Sequence, residues 1–157
     1  MLQFHVIMSL IGMLSGFIVL YGFLTTKPSG GWTMLFLAPT ALTGITGFAL
    51  SPFGFDPPRA VGTISLVLLI VAAAALYAFH LSGLWRWIYI TTAVAALYLN
   101  VFVGVVQAFQ KLPFLAFLAP TQSEPPFLIT QIVLLAIFIA LGFLASRRFH
   151  PELKARR

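Results

Sequence analysis

Five apolar runs, each close to the ~20 residues that carry a helix across ~30 Å of hydrocarbon, dictate what this chain can become. They cover residues 5–24, 32–50, 60–80, 85–109 and 127–146. In lipid, every backbone N–H and C=O must be satisfied within its own segment, so separate runs of this length fold as helices. The expected fold is all-α: a polytopic transmembrane bundle of five spans over residues 1–146, then a basic cytoplasmic tail at 147–157. Composition agrees. The chain is 61% hydrophobic and 8% charged, whereas a soluble domain is about a quarter charged. A small soluble domain exposes too much of its surface to hide so much apolar area.

The breaks between runs carry turn chemistry. Lys27-Pro28-Ser29-Gly30-Gly31 separates the first two, and a Pro- and Gly-rich stretch at 51–59 separates the second from the third. The third and fourth meet at Leu81-Ser82-Gly83, and the longest connection spans 110–126. The first run has no preceding positive region and no small-residue cleavage site, so it reads as a retained span. The second contains Pro39 among threonines and glycines. That proline should kink the helix and leave a carbonyl on the preceding turn without its donor.

Lys and Arg set the expected orientation, because cytoplasmic segments carry the excess of both. The tail holds Arg147, Arg148, Lys154, Arg156 and Arg157, which places it inside and, with five spans, the N-terminus outside. Lys27 and Arg86 then also fall inside, and only Arg59 and Lys111 outside. Trp32, Trp85 and Trp87 land at the inner interface, where tryptophan is favoured. The net charge of +6 therefore orients the chain and is not a nucleic-acid footprint.

Several chemistries are excluded or disfavoured. With no cysteine there is no disulfide, thiolate metal site or thiol catalysis. Asp56, Glu124 and Glu152 all fall outside the runs, which weighs against proton-coupled mechanisms that use intramembrane acids. No phosphate loop, HExxH pair or GxSxG elbow is present. Nothing here points to an enzyme. No cofactor or metal is expected, since His5 and His80 should stand a membrane thickness apart and cannot share one ion.

What remains is a set of uncharged polar side chains. On the fourth run Thr92, Ala96, Asn100, Val103, Gly104, Gln107 and Gln110 share one helical face, opposite Leu97, Val101 and Val105. An asparagine near mid-bilayer should face inward. The first run puts His5, Ser9, Gly12 and Gly16 on one side, with Gly12 and Gly16 forming a GxxxG that permits close helix approach. With the expected topology His5, Ser9, Thr43, Asn100, Gln107 and Gln131 all lie in the outer half of the bilayer. They form the candidate ligand-binding set, or else a set of helix–helix hydrogen bonds. In the long connection, residues 114–118 are too apolar for a free loop and read as a lid or an interfacial segment. Ser123 or Glu124 should help cap the last helix, with Pro125 at its start. Gln122 and Glu124 are the candidate gate or partner contact.

The stretches Leu97-Tyr98-Leu99-Asn100-Val101-Phe102-Val103 and Ala119-Pro120-Thr121-Gln122-Ser123-Glu124-Pro125-Pro126-Phe127 resemble those of small uncharacterised bacterial multi-pass membrane proteins. That resemblance implies a bacterial inner-membrane location, and no activity or catalytic residues. Two functional expectations follow from the polar set. One is a protein that binds or conducts a small uncharged, quinone-like or lipid-like molecule. The other is an accessory subunit of a larger membrane complex or homo-oligomer, in which the same residues only pack helices.

Overall fold

The computed structural model describes residues 2–27, 30–49 and 57–150. Six α-helices follow one another: α1 (Leu2–Thr25), α2 (Gly30–Ala49), α3 (Pro57–Ala73), α4 (Leu84–Lys111), α5 (Pro113–Leu118) and α6 (Pro125–Arg148). A π-helical turn, Ala74–Ala78, extends α3. Among the described residues there is no strand. Much of the connection at 51–59 and the tail beyond His150 lie outside the described residues. Among the described residues, four helical stretches are long and apolar enough to cross a membrane: Gln3–Thr25, Arg59–Ala78, Leu84–Lys111 and Pro125–Arg148. The fifth expected span corresponds to α2, which has 20 residues but is diluted by glycines, threonines and Pro39. The outward faces are largely apolar. Leu14, Ile70, Ile132 and Ile139 are each more than 60% exposed, a surface suited to acyl chains and not to water.

The helices α1, α2, α3 and α4 pack in a ring, each on the next and α4 back on α1. The last helix, α6, lies outside the ring against α4 and α1. This makes α4 the central element. Its apolar side, expected to oppose the polar face, is not spare surface. Leu97 is 1% exposed and joins Ile90, Ala93, Phe36 and Val19 in the core. Both faces of α4 are therefore in use, one for packing and one for the polar cluster described below.

The closest approach is between α1 and its neighbours, and small residues make it possible. A Cβ on Gly16 would stand 2.6 Å from Leu97 Cδ1 and 2.9 Å from the Phe36 ring. A Cβ on Gly12 would stand 2.5 Å from Thr40 Oγ1. The GxxxG thus seats α1 on α2 and α4 together. Between the two glycines, Ser15 answers the defect that Pro39 creates. Proline has no N–H to give the carbonyl four residues earlier, which is that of Leu35. The Ser15 hydroxyl reaches across from α1 to Leu35 O at 2.8 Å. It also lies 2.6 Å from Ile11 O, so its single proton is shared between its own helix and the orphaned carbonyl of α2. The carbonyl freed by Pro39 is thereby satisfied within the bundle.

At the opposite end of the ring, aromatic rings and one arginine hold α1, α4 and α6 together. Phe23 meets Tyr89 and Phe149 edge-on, with centroids 5.3 and 4.9 Å away. Arg86 donates to the carbonyls of Ser146 and Phe149. Arg147 and Arg148 complete α6, and Phe149 is buried.

Replacing Gly16 with alanine should lower stability by about 1–3 kcal/mol, since Leu97 and Phe36 cannot both retreat. Ser15→Ala should cost about 1 kcal/mol by leaving Leu35 O without a donor. Reversible unfolding in mixed micelles with increasing dodecyl sulfate measures both. A Gly16→Ala variant as stable as the wild type would mean that α1 is not seated as described.

Candidate functional site

Where α1 and α3 begin and α2 and α4 end, the ring does not close. It encloses a cavity of about 610 Å³, in the range of small-molecule sites. Each wall has a local reason. On α4, a turn-by-turn repeat places Asn100, Val103, Gly104 and Gln107 on the cavity. From α1 come His5, Ser9 and Met13, and from α2 Thr40, Thr43 and Gly47. The fourth wall is α3, through Arg59, Gly62 and Ser65. Gly44 lets α2 sit against Leu66 of α3, where an added Cβ would stand 2.9 Å from the leucine Cγ.

The polar contacts run between helices. Ser9 Oγ donates to Asn100 Oδ1 at 3.2 Å, joining α1 to α4. His5 Nδ1 lies 3.1 Å from Thr46 Oγ1. The Thr46 hydroxyl gives its proton to Leu42 O at 2.7 Å, so its oxygen is left to accept from the imidazole N–H. Thr43 likewise turns its hydroxyl back to Pro39 O at 2.8 Å. Two buried polar atoms at the cavity have no partner among the described residues, Thr40 Oγ1 and Asn100 Nδ2.

A scan against protein-family models, curated proteins and solved structures found no match. The site is therefore read from its own geometry.

Of the side chains singled out in the sequence, the structure brings His5, Ser9, Thr43, Asn100 and Gln107 to this one cavity. Gln131 is not with them. It lies on α6, outside the ring, and is buried at the α4 interface with Nε2 3.4 Å from Phe102 O. The last run was expected to contribute through Gln131, whereas α3 forms the fourth wall. Arg59, Ser65 and Lys111 were passed over because each sits near a predicted loop or within an apolar run. The signal that would have found α3 is its stripe of small residues at helical spacing, Gly62, Ser65, Ala72 and Ala75. Ser65, Ala72 and Ala75 are buried.

The long connection contains a short helix, and Pro125 opens α6 as expected. Residues 113–118 form the short helix α5, which rests on α4 through Leu115. Ala119 packs there with Phe109 and Phe127. Phe117 is 84% exposed, and no residue of α5 lines the cavity. Gln122 donates to Val106 O at 3.1 Å and adopts a left-handed φ of 60°. Glu124 occupies the N-cap position of α6 but makes no side-chain cap there. Its carboxylate instead turns back to accept from the Thr121 hydroxyl at 2.8 Å and from the amides of Thr121 and Ser123, both at 3.1 Å. Slight desolvation pushes the Glu124 carboxyl up, but these hydrogen bonds together outweigh it and hold the group below its ordinary 4.5.

A carboxylate with a depressed pKa contributes stability above its unfolded pKa and loses it as pH falls through the folded value. The turn at 119–124 should therefore be ordered at neutral pH and should loosen on acidification below the ordinary carboxylate range. Hydrogen exchange at the Thr121 and Ser123 amides, followed from pH 7 downward, should show that loss of protection. Glu124→Gln should abolish the pH dependence.

Proposed function

We propose that this chain is a five-span protein of the bacterial inner membrane. Its cavity, in the outer half of the bilayer, binds a small uncharged or lipid-like molecule such as a quinone head group. The observation that carries this reading is the cavity itself, about 610 Å³ with mainly apolar walls and a few convergent polar groups. His5, Ser9, Thr43, Asn100 and Gln107 supply those groups. Below the cavity, Phe36, Leu97, Val19 and Ile90 are all nearly or fully buried, so the bundle is filled there. A dead-ended pocket favours binding over passage.

The fifth span is α2. Its length matches ~30 Å of hydrocarbon. Its hydrogen bonds and glycine contacts with α1 and α3 keep it within the ring. With α2 crossing, the distribution of Lys and Arg places the N-terminus outside and the C-terminus in the cytoplasm.

Two experiments test the proposal. The natural chain has no cysteine, so single cysteines report topology without background. With five spans, Lys27→Cys should be shielded from a membrane-impermeant maleimide in intact spheroplasts, and Thr121→Cys should react. If α2 does not cross, Lys27→Cys becomes the reactive outer site. For the ligand, native mass spectrometry of the chain released from gentle detergent should show a co-purifying small mass. Val103→Phe, which grows into the cavity, should remove that mass, and Leu128→Phe on an exposed face should retain it. A bound mass indifferent to Val103→Phe would sink the binding reading.

A further inference from the structure

The cavity is wide because three of its walls lack a side chain where nothing forbids one. Gly47, Gly62 and Gly104 line it from α2, α3 and α4. Elsewhere in the bundle Gly12, Gly16 and Gly44 are each required by a neighbour that a Cβ would strike. The cavity glycines are not required in this way. A Cβ on Gly62 would meet nothing within 4 Å, and one on Gly47 only the His5 ring at 3.6 Å. One on Gly104 would meet only the terminal methyl of Met13, the far end of a flexible side chain. Glycine inside a helix is less stable than alanine, and no helix contact here offsets that cost. What these glycines leave is bare backbone facing open space, which lets a ligand lie directly on the main chain.

Ser65 stands one turn below Gly62 on the same wall. On the described helices, serine and threonine hydroxyls turn to their own backbone, as Thr92 and Ser146 do, or to a neighbouring side chain, as Ser9 and Thr33 do. That is the usual way to satisfy a hydroxyl in lipid. The exceptions among the described helical residues are Thr40 and Ser65. Thr40 Oγ1 is sealed in the packing and out of reach of an occupant. Ser65 is 8% exposed, lines the cavity and has no hydrogen-bond partner among the described residues, yet its hydroxyl is not one of the sealed atoms. The space in front of it is the cavity. A hydroxyl in that position costs free energy until an oxygen comes within reach.

The wall also limits what can bring that oxygen. Ser65 lies about 9 Å deeper along α3 than Arg59. A charged group carried to that depth would shed its hydration, which a neutral one does not. A planar ring covers bare backbone with its whole face, whereas an alkyl chain touches it along a line, so dispersion favours the ring.

We propose that the α3 wall is the recognition surface of the cavity: the flat ring of a neutral molecule lies on the backbone at Gly62, and the ring's oxygen hydrogen-bonds with Ser65 Oγ. The ligand class is an oxygen-bearing ring, phenolic or quinonoid. This rests on the binding reading above and specifies its chemistry.

The test uses the full chain in phosphatidylcholine nanodiscs with ¹³C-methyl methionine. Met13 lines the cavity, so its methyl signal reports occupancy directly. Four probes are compared at matched mole fraction in lipid: 2-naphthol, 1,4-naphthoquinone, naphthalene and 1-decanol. The expected result is that the two oxygen-bearing rings saturate the Met13 shift at about tenfold lower mole fraction than naphthalene, the weight of one hydrogen bond in a buried site. They should also saturate it below 1-decanol. Ser65→Ala should erase the advantage over naphthalene and leave naphthalene binding unchanged. Gly62→Leu, whose side chain has open space to enter, should fold as well as the wild type and lose all three rings. An oxygen advantage that is absent, or that survives Ser65→Ala, would overturn the Ser65 anchor. Rings that bind no better than 1-decanol, or that still bind Gly62→Leu, would overturn the seat on Gly62, as would a Gly62→Leu chain that cannot fold. Each of these results leaves the cavity as a site. A Met13 signal that moves with none of the probes would overturn the binding reading itself. Of the two oxygen-bearing rings, the tighter binder assigns the source to a phenol or to a quinone.

Discussion

A carbonyl without a donor is expensive in lipid, and Pro39 makes one in the middle of α2. The answer, a hydroxyl from Ser15 on α1, fixes more than one hydrogen bond. It sets the height of α1 against α2. At that height Gly12 meets Thr40 one turn toward the cavity, and Gly16 meets Phe36 and Leu97 on the other side. The first contact shapes the cavity floor and the second seals the core beneath it. A helix pair joined at a different level would set a side chain of α1 against Thr40, where only a glycine fits.

The central helix divides its surface between two tasks. Asn100, Val103, Gly104 and Gln107 line the cavity, and Ile90, Ala93 and Leu97 fill the core. In water such a division follows from burial alone. In a membrane the outer surface is apolar too, so sidedness must come from polar and small residues. This is why the polar side of α4 was legible in the sequence, while the destination of its apolar side was not. Leu97 looks like any lipid-facing leucine until α1 and α2 are placed.

The same reasoning explains what else could be read beforehand. Apolar runs near the span length gave the helix positions to within a few residues, because backbone satisfaction in lipid leaves no alternative. The freed carbonyl of Pro39 was predictable, and so were Asn100 and His5 as inward groups. Helix neighbours were harder. Gln131 shares the depth and the chemistry of the cavity residues, yet it packs on α4 from outside the ring. Depth can be counted along a helix, whereas azimuth around a bundle depends on every other helix. Glu124 shows a local version of this limit. The sequence offers a cap, but the backbone of the turn at 119–124 presents Thr121 and Ser123 as nearer donors.

The aromatic junction at the far end of the ring has a consequence for how the molecule is made. Phe23 and Tyr89 come from α1 and α4, Phe149 follows directly on α6, and Arg86 fastens only once the backbone at Phe149 is in place. No part of the nascent chain can close this junction until residue 149 has left the ribosome. The ring of the first four long helices, with Phe23 against Tyr89, involves no residue of α6, so only the Phe149 side of Phe23 must wait for the end of the chain. The contacts of Phe149 are thus a late latch on a ring whose other members are already in the chain.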